Sequence, residues 1–305
     1  MTHHSFVPEE GTTESTGGAT DAAIVIDHVS REFRSRRSSL FGPAPVVHAL
    51  SDVSLVVPRR SRFGIVGESG SGKTTLVRLI AALDRPSSGR VVIDGTDIST
   101  LTDRQLRPTR KRLQLVFQDP MGSLNPRMRI GEIVGEPLQV QGASGIADRV
   151  AAVLEQVGMP ASVMNRYPHQ FSGGQRQRIS IARAIAPRPA ILLADEAVSA
   201  LDVTIRAQIL QLLDELATVE DFTMVFVSHD LSVIQRVCDR VAVLHRGKLV
   251  ETGTIDEVYG SPQEEYTREL LGAVPTLERG LASALERQAC KAAREPWASN
   301  HSDGA

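Results

Sequence analysis

Short apolar runs alternate along the chain with longer segments in which apolar residues recur at helical spacing. Continuous apolar runs are typical of parallel strands that are buried on both faces. Such runs occupy residues 63–66, 190–194 and 223–227. Spacing of i, i+3, i+4 and i+7, which is typical of amphipathic helices, is found at Val150, Val153, Leu154 and Val157 and again over residues 205–216. This alternation predicts an α/β fold.

The same pattern predicts further elements. Strands are expected at residues 23–26, 53–57 and 113–117 and in a hairpin of residues 241–244 and 248–250. The basic, serine-containing segment 31–45 is expected to form a loop. Thr254 followed by Glu257 predicts a capping box that opens a helix. Between Phe117 and about Arg183 the pattern is mostly helical and predicts a helical insertion into the α/β core.

Composition describes an ordinary globular protein of 305 residues, with 41% hydrophobic residues, 23% charged residues and a net charge of −2. This charge gives no electrostatic reason to expect a nucleic-acid partner. Cys238 and Cys290, the two cysteines, lack metal-ligand spacing and favour a reducing cytoplasm. No run approaches the roughly 18 apolar residues of a membrane span, and the N-terminus has no signal-peptide core. Any work at a membrane is therefore expected to occur from the cytoplasmic side, through partners.

A glycine-rich segment lies between the predicted strand 63–66 and a segment of helical spacing. Its residues are Gly67, Glu68, Ser69, Gly70, Ser71, Gly72, Lys73, Thr74 and Thr75. In this context backbone N–H groups can curl around phosphate oxygens at a helix N-terminus. Lys73 is expected to reach the β- and γ-phosphates, and Thr74 to ligate Mg²⁺. The motif alone indicates only a nucleoside triphosphate.

Two carboxylates, Asp195 and Glu196, follow the apolar run 190–194. In open α/β sheets, ligands bind in the crevice beyond the carboxyl ends of the strands. Asp195 is therefore expected to hold the Mg²⁺ shell, and Glu196 is the candidate that polarises the attacking water. A solvated acidic turn is the alternative for Glu196.

The segment Ser172-Gly173-Gly174-Gln175 precedes a predicted helix, where a hydroxyl and backbone donors can bind an anion. With the Asp195-Glu196 strand downstream, it resembles the signature of the ABC ATPase family. Further matches follow in the family's order: Gln118 resembles the glutamine loop, residues 199–202 the loop after the Asp-Glu strand, and His229 the switch histidine. Several ordered motifs make coincidence negligible.

The resemblance implies a role for each matching residue. Gln118 would contact Mg²⁺ or the attacking water, and His229 would contact the γ-phosphate. The expected catalytic residues are Lys73, Gln118, Glu196 and His229, and the expected Mg²⁺ ligands are Thr74, Gln118 and Asp195. Phe33 stands where the family places an aromatic that stacks on adenine, with a simple core phenylalanine as the alternative.

The resemblance also implies that ATP binds between two subunits. Ser172, Gly173, Gly174 and Gln175 would close over ATP held by the opposite subunit, and Asp202 would lie at that interface. ATP binding would then favour the dimer and hydrolysis would release it, which is the logic of nucleotide switches.

A finer similarity concerns the ATPases of oligopeptide and dipeptide importers. It rests on residues 116–128, on Phe171, on residues 200–208 and on the C-terminal stretches 257–262, 265–271 and 273–275. The implied fold is a P-loop NTPase core with an antiparallel β subdomain, a helical subdomain and a C-terminal extension. The expected bounds are a disordered leader at 1–21, an ATPase domain at 22–258 with its helical subdomain at about 119–183, the extension at 259–276 and a flexible tail at 277–305. Some members of the subfamily bind an iron–sulfur cluster in this extension, and none is expected here because only Cys290 lies in or beyond it.

The implied function is ATP hydrolysis that powers import of peptides or similar small solutes. The expected partners are two membrane-spanning permease subunits, a second ATPase subunit that is a paralogue or an identical chain, and indirectly an external solute-binding protein. The chain would then sit peripherally at the cytoplasmic face of the cell membrane. The alternative is an ABC ATPase that drives a non-transport complex, in DNA repair, at the ribosome or with an enzyme. Only about fifty residues, without sustained heptads, separate Gln118 from Ser172, which disfavours the coiled-coil insertions of the DNA-acting class.

Overall fold

The computed structural model describes residues 21–34 and 46–273. The predicted leader, residues 1–21, lies outside the described residues except for Asp21, and the predicted tail, residues 277–305, lies outside them entirely. The strands in chain order are β1 (Ala22–Arg34), β2 (Val46–Pro58), β3 (Arg62–Val66), β4 (Ser88–Ile93), β5 (Thr96–Asp97), β6 (Leu113–Val116), β7 (Ile191–Asp195), β8 (Thr223–Val227), β9 (Arg240–His245) and β10 (Lys248–Thr254).

The helices lie between and after these strands in the chain. They are α1 (Lys73–Ile80), α2 (Asp103–Arg112), α3 (Pro120–Ser123), α4 (Ile130–Gln141), α5 (Ile146–Gln156), α6 (Gly173–Ile185), α7 (Val203–Glu220), α8 (Leu231–Val237), α9 (Ile255–Gly260) and α10 (Glu265–Gly272). Two short 3₁₀ turns, at Ala161–Asn165 and Pro168–Gln170, join α5 to α6. The chain between β6 and β7 contains no strand, as the periodicity predicted. The predicted capping box also opens α9, where Thr254 Oγ1 accepts from the Glu257 N–H and Glu257 accepts from the Thr254 N–H.

A six-stranded sheet, in the order β10-β9-β3-β8-β7-β6, organises the molecule. Strands β9, β3, β8, β7 and β6 run parallel, and β10 pairs antiparallel with β9 at the edge. All six were expected from the apolar runs, although β10 is longer than expected. In β7 every residue from Ile191 to Ala194 is buried, because helices cover both faces of the sheet.

A four-stranded antiparallel sheet, in the order β2-β1-β4-β5, forms a second layer. Residues 31–34 were expected in a loop but lie in β1, where Phe33 pairs with Val47 of β2. The backbone of β1 pairs with β2 beyond the apolar residues of β1. The last residues of β1 are mostly polar, so the hydrophobic pattern does not identify them as strand. Strands β4 and β5 were not identified as elements at all, because β4 alternates only briefly and β5 has two residues.

Two hydrophobic cores lie on opposite faces of the parallel sheet. Along β7, Ile191 and Leu193 contribute to the core shared with α1 and the antiparallel sheet, and Leu192 and Ala194 to the core shared with the helices of the insertion. This division follows from the two-residue repeat of a strand. The sheet is therefore held rigidly from both sides, and its carboxyl edge is the place where loops emerge.

No helix within residues 21–34 and 46–273 is long and apolar enough to cross a bilayer.

Candidate functional site

The predicted site residues converge on the carboxyl edge of the parallel sheet. Gly67 follows β3 directly, Gln118 follows β6 by two residues, Asp195 ends β7, and His229 follows β8 by two residues. Because these strands are parallel and adjacent, their carboxyl ends meet at one edge. The fold thus brings together segments that are far apart in the sequence.

The phosphate loop curls because its glycines adopt backbone angles that other residues avoid. Gly67, Gly70 and Gly72 have φ values of 150°, 80° and 104°. Gly67 is also packed so closely that a Cβ there would collide with the carbonyl oxygen of Leu244 at the end of β9. The shape of the loop therefore depends on these glycines.

Lys73 is held at the loop by backbone carbonyls. Its Nζ donates to the carbonyl oxygens of Gly67 at 2.7 Å and Glu68 at 2.8 Å, and the residue is only 6% exposed. Burial lowers the pKa of the Lys73 ammonium, and the charges of Glu196 and Asp195 oppose that shift. A desolvated cation is thereby placed between the loop and the two carboxylates.

The loop fits a phosphate group. Its far end is fixed by the N–H of Gly247, which donates to the Ser71 carbonyl oxygen at 2.9 Å. The Oγ of Ser71 is buried, and within the described part of the chain it has no hydrogen-bond partner. Backbone N–H groups at positive-φ glycines, the Lys73 ammonium and this hydroxyl are all donors suited to phosphate oxygens.

Asp195 and Glu196 are adjacent, partly buried carboxylates. Burial raises the pKa of Asp195, the charge of Glu196 raises it further, and Lys73 counteracts both. Among the described residues no group of three or more His, Cys, Asp or Glu side chains could hold a metal by itself. Mg²⁺ typically uses one or two carboxylates together with substrate phosphates. Asp195, Thr74 and Gln118 each carry a side-chain oxygen of the kind that such shared coordination uses.

Glu196 links the glutamine and the histidine. Its Oε2 accepts from Gln118 Nε2 at 2.8 Å, and its Oε1 lies 3.2 Å from His229 Nδ1. Gln118 Nε2 also lies 3.4 Å from the Oγ of Ser199. Glu196 itself has a φ of 48°, and its N–H donates to the carbonyl oxygen of Val227 at 2.9 Å. Such left-handed backbone at a non-glycine residue is uncommon and clusters at functional sites.

The signature segment begins α6. Ser172 is its N-cap: Ser172 Oγ accepts from the Gln175 N–H at 3.4 Å, and Gln175 Oε1 accepts from the Ser172 N–H at 3.0 Å. Gly173 is exposed, whereas a Cβ on Gly174 would lie 2.5 Å from Ile205 Cγ2 of α7. In the described chain no hydrogen bond joins Ser172 or Gln175 to the phosphate loop. Ser172, Gly173 and Gln175 are exposed at the N-terminus of α6.

Asp202 lies at the start of α7, close in sequence to Glu196. Its Oδ1 accepts from the Ile205 N–H at 3.0 Å, so this carboxylate caps the helix. The residue is exposed. Its capping role was not foreseen, and its position at a subunit interface stays a prediction.

Phe33 lies on β1 and is 40% exposed, so it is not a core phenylalanine. The guanidinium carbon of Arg31 lies 4.6 Å from the ring centroid. Phe33 pairs with Val47, two residues before Ala49, whose carbonyl oxygen lies 2.6 Å from a Cβ built on Gly72. An exposed aromatic ring is thus present on the strand pair that covers the end of the phosphate loop.

Sequence reasoning missed two contacts of the site. One is the Ser199 hydroxyl beside Gln118. The other is the hydroxyl of Tyr266, which accepts a hydrogen bond from the Glu68 N–H at 3.3 Å. Tyr266 lies 198 residues after Glu68, and no periodicity connects positions so far apart.

Comparisons with known proteins identify relatives of the whole fold. The family model described as ABC transporter matches residues 50–199. A Brucella ovis protein, named for peptide import and ATP binding, is 49% identical over 230 residues, which are 74% of this chain and 73% of that protein. The oligopeptide transport ATP-binding protein OppF of Streptococcus mutans is 46% identical over 251 residues, covering 81% of this chain and 80% of that protein.

Solved structures agree. A dimeric, post-hydrolysis state of the ATP-binding cassette MJ0796 bound to ADP and Pi matches with a TM-score of 0.68 and 31% identity, covering 76% of this chain and 98% of that one. CbiO1 from Clostridium perfringens, part of the transporter complex cbiONQ, matches in fold with a TM-score of 0.69 and 24% identity, covering 84% of this chain and 96% of that one.

Proposed function

The chain belongs to the ABC transporter family as one of its ATPases, and from that premise we propose that it powers the import of peptides or similar small solutes. The family, the α/β P-loop fold and the ATPase class expected from the sequence are confirmed. The choice of peptides is supported by the names of the bacterial relatives. One observation supports the ATPase proposal most directly. Lys73, Asp195 and Glu196, the last with its partners Gln118 and His229, converge at one edge of the sheet.

In this proposal each side chain has a distinct task. Lys73, held by the loop carbonyls, binds the β- and γ-phosphate oxygens. Glu196 accepts the proton of the attacking water, while Gln118 and His229 orient its carboxylate through its two oxygens. When bound by Thr74, Gln118 and Asp195, Mg²⁺ supplies positive charge to the phosphate oxygens. Because Gln118 Nε2 donates to Glu196, Oε1 is the Gln118 atom that would bind a metal.

A second ATPase subunit completes the site. Ser172 and Gly173 are exposed at the N-terminus of α6, so this N-terminus can receive the phosphates of a nucleotide held by another subunit. The dimeric relative supports such a pairing. We propose a paralogue as this partner, with an identical chain as the other form of the dimer.

To be driven by ATP, the permease subunits must bind a surface of this chain that changes with the state of the ATP site. A groove of about 650 Å³ lies between the parallel sheet and the helical insertion. Its lining includes the exposed apolar residues Leu83, Phe117 and Val140 and the basic residues Arg107, Lys111 and Arg183. Phe117 directly precedes Gln118, so an occupant of the groove would sense the position of Gln118. We propose that a cytoplasmic segment of each of two permease subunits, apolar with acidic flanks, binds here.

This binding would hold the chain at the cytoplasmic face of the membrane, with the external solute-binding protein acting through the permeases. We place the ATPase domain at 22–258, its helical subdomain at about 119–183 and the C-terminal extension at 259–276. The groove lies where the helical subdomain meets the sheet. A change at the ATP site that shifted the helical subdomain would therefore change the shape of the groove.

The test is purification of the chain from detergent-solubilised membranes. Recovery of two multi-span subunits is expected for the wild type, and recovery of only ribosomes or DNA would refute the proposal. Val140→Asp, at a groove residue that is 79% exposed, should reduce permease recovery at least tenfold and leave ATP binding unchanged. Val219→Asp is the matched control, because Val219 is 74% exposed on α7 outside the groove. Equal loss in both variants would exclude the groove as the docking surface.

A further inference from the structure

The C-terminal segment folds back onto the ATP site. Helix α10 begins after β10 and α9, and the carboxylate of Glu251 on β10 accepts from the N–H groups of Gln263 at 2.9 Å and Glu264 at 3.2 Å. These bonds hold the start of α10 against the sheet. The helix therefore has a defined position beside the hairpin of β9 and β10, which itself supports the phosphate loop through Gly247.

Tyr266, in the first turn of α10, reaches the phosphate loop. Its hydroxyl accepts a hydrogen bond from the Glu68 N–H at 3.3 Å. Its ring is tilted by 47° against the ring of His245, with the centroids 3.8 Å apart. Partial burial raises the pKa of Tyr266, and the charge of Glu68 adds to that shift, which the Glu68 N–H opposes, so the hydroxyl stays protonated at neutral pH.

Glu68 makes a second hydrogen bond, to the lysine of the phosphate loop. Its carbonyl oxygen accepts from Lys73 Nζ at 2.8 Å. Both backbone groups of Glu68 are therefore engaged: its N–H donates to the Tyr266 hydroxyl, and its carbonyl oxygen accepts from Lys73, the lysine that binds phosphate. A Glu68 backbone held in place keeps the ammonium of Lys73 in place, and a loop that is already ordered loses less entropy when ATP binds.

We propose that Tyr266 is a positioning residue for ATP binding, acting through the backbone of Glu68 on Lys73. This inference rests on the proposed function, because it concerns the same ATP site. It assigns the C-terminal extension a task at that site: the extension pre-organises the phosphate loop of its own chain.

The hydroxyl can be removed without undocking the helix. Glu251 still binds the backbone of residues 263 and 264, and Leu270 and Leu271 still pack against the large core. The ring of Tyr266 also keeps its contact with His245 when the residue is changed to phenylalanine. Tyr266→Phe therefore tests the hydrogen bond alone.

Tyr259→Phe is the matched control. Tyr259 lies on α9 of the same C-terminal region and donates through its hydroxyl to the Leu231 carbonyl oxygen at 2.8 Å. Tyr259→Phe also removes one hydrogen bond between a tyrosine hydroxyl and the backbone, although here the hydroxyl donates, and Tyr259 makes no hydrogen bond to the phosphate loop. Both variants are made in the full chain and compared with the wild type by calorimetric titration with MgATP, under monomeric conditions and after thermal melts establish folding.

Tyr266→Phe should weaken MgATP binding by about threefold to tenfold, the range that corresponds to one neutral hydrogen bond. Tyr259→Phe should bind as the wild type does. The loss should also vanish when Tyr266→Phe is combined with Lys73→Ala, since the effect is transmitted through Lys73. A merely structural tyrosine would give the same loss with or without the lysine.

Three results would overturn the inference. They are an affinity of Tyr266→Phe within twofold of the wild type, an equal loss in Tyr259→Phe, and additivity of Tyr266→Phe with Lys73→Ala. A wild-type chain that bound no MgATP would overturn the proposed function and this inference with it, so the two failures are distinguishable.

Discussion

Replacing Glu196 by glutamine separates ATP binding from ATP hydrolysis. The carboxylate accepts from Gln118 Nε2 at 2.8 Å and lies 3.2 Å from His229 Nδ1. A glutamine keeps one oxygen for Gln118, and its amide group can donate to His229 Nδ1 when that nitrogen carries no proton. Glutamine has the same branching at Cβ and Cγ as glutamate, so the backbone φ of 48° at position 196 sets no new steric demand. The substitution therefore keeps the shape of the site and removes its proton acceptor.

The expected magnitude follows from that loss. A positioned general base contributes about 10²–10⁴-fold to the rate. At about 1.36 kcal/mol for each factor of ten, this corresponds to about 2.7–5.4 kcal/mol of activation free energy. ATP affinity should change little, because the phosphate loop and Lys73 remain, and removal of one negative charge does not repel the triphosphate. ATP-dependent dimerisation should persist for the same reason.

The assay is phosphate release at saturating MgATP, with nucleotide binding and dimer mass measured on the same preparation. Glu215→Gln is the matched control, since Glu215 Oε1 also accepts from a glutamine amide, that of Gln211 at 2.9 Å, on an exposed helix face. The control should hydrolyse ATP as the wild type does. Turnover of Glu196→Gln within about threefold of the wild type would refute the assignment of Glu196 as the base.

Two further predictions concern the neighbouring parts of the site. Ser172→Arg should leave MgATP affinity of the isolated chain within twofold of the wild type but reduce hydrolysis by the dimer at least tenfold, and weaker binding by the monomer would contradict a role of Ser172 on the partner's nucleotide. Asp195→Asn should stabilise the metal-free chain at neutral pH in urea unfolding. Because the folded state raises the pKa of Asp195, the wild type loses stability as pH rises above the ordinary aspartate range, so the gain should disappear below about pH 4. A gain that persists in acid, or none at neutral pH, would show that burial of Asp195 is not the cause.

Local features of the fold were predictable because their causes are local. Strands β7 and β8 of the central sheet are apolar runs, and burial on both faces leaves such runs no polar alternation. The caps of α6 and α9 rest on side chains three residues apart. The antiparallel sheet was less predictable from the sequence. Strand β1 continues to Arg34 because its backbone pairs with β2, and that pairing depends on β2 rather than on the side chains of β1.

The sequence by itself determined which residues are available for ATP chemistry: the loop of glycines with Lys73, the strand that ends in Asp195, and the capped signature helix. Each of these features depends on only a few consecutive residues, since φ preference, strand burial and helix capping involve residues that are close in sequence. Only the tertiary structure decided what these residues touch. The order of parallel strands places Gln118 and His229 on the two oxygens of Glu196, across 78 and 33 residues of sequence, and α10 brings Tyr266 to Glu68 across 198. Such contacts depend on how the strands and helices pack, and no local pattern encodes that.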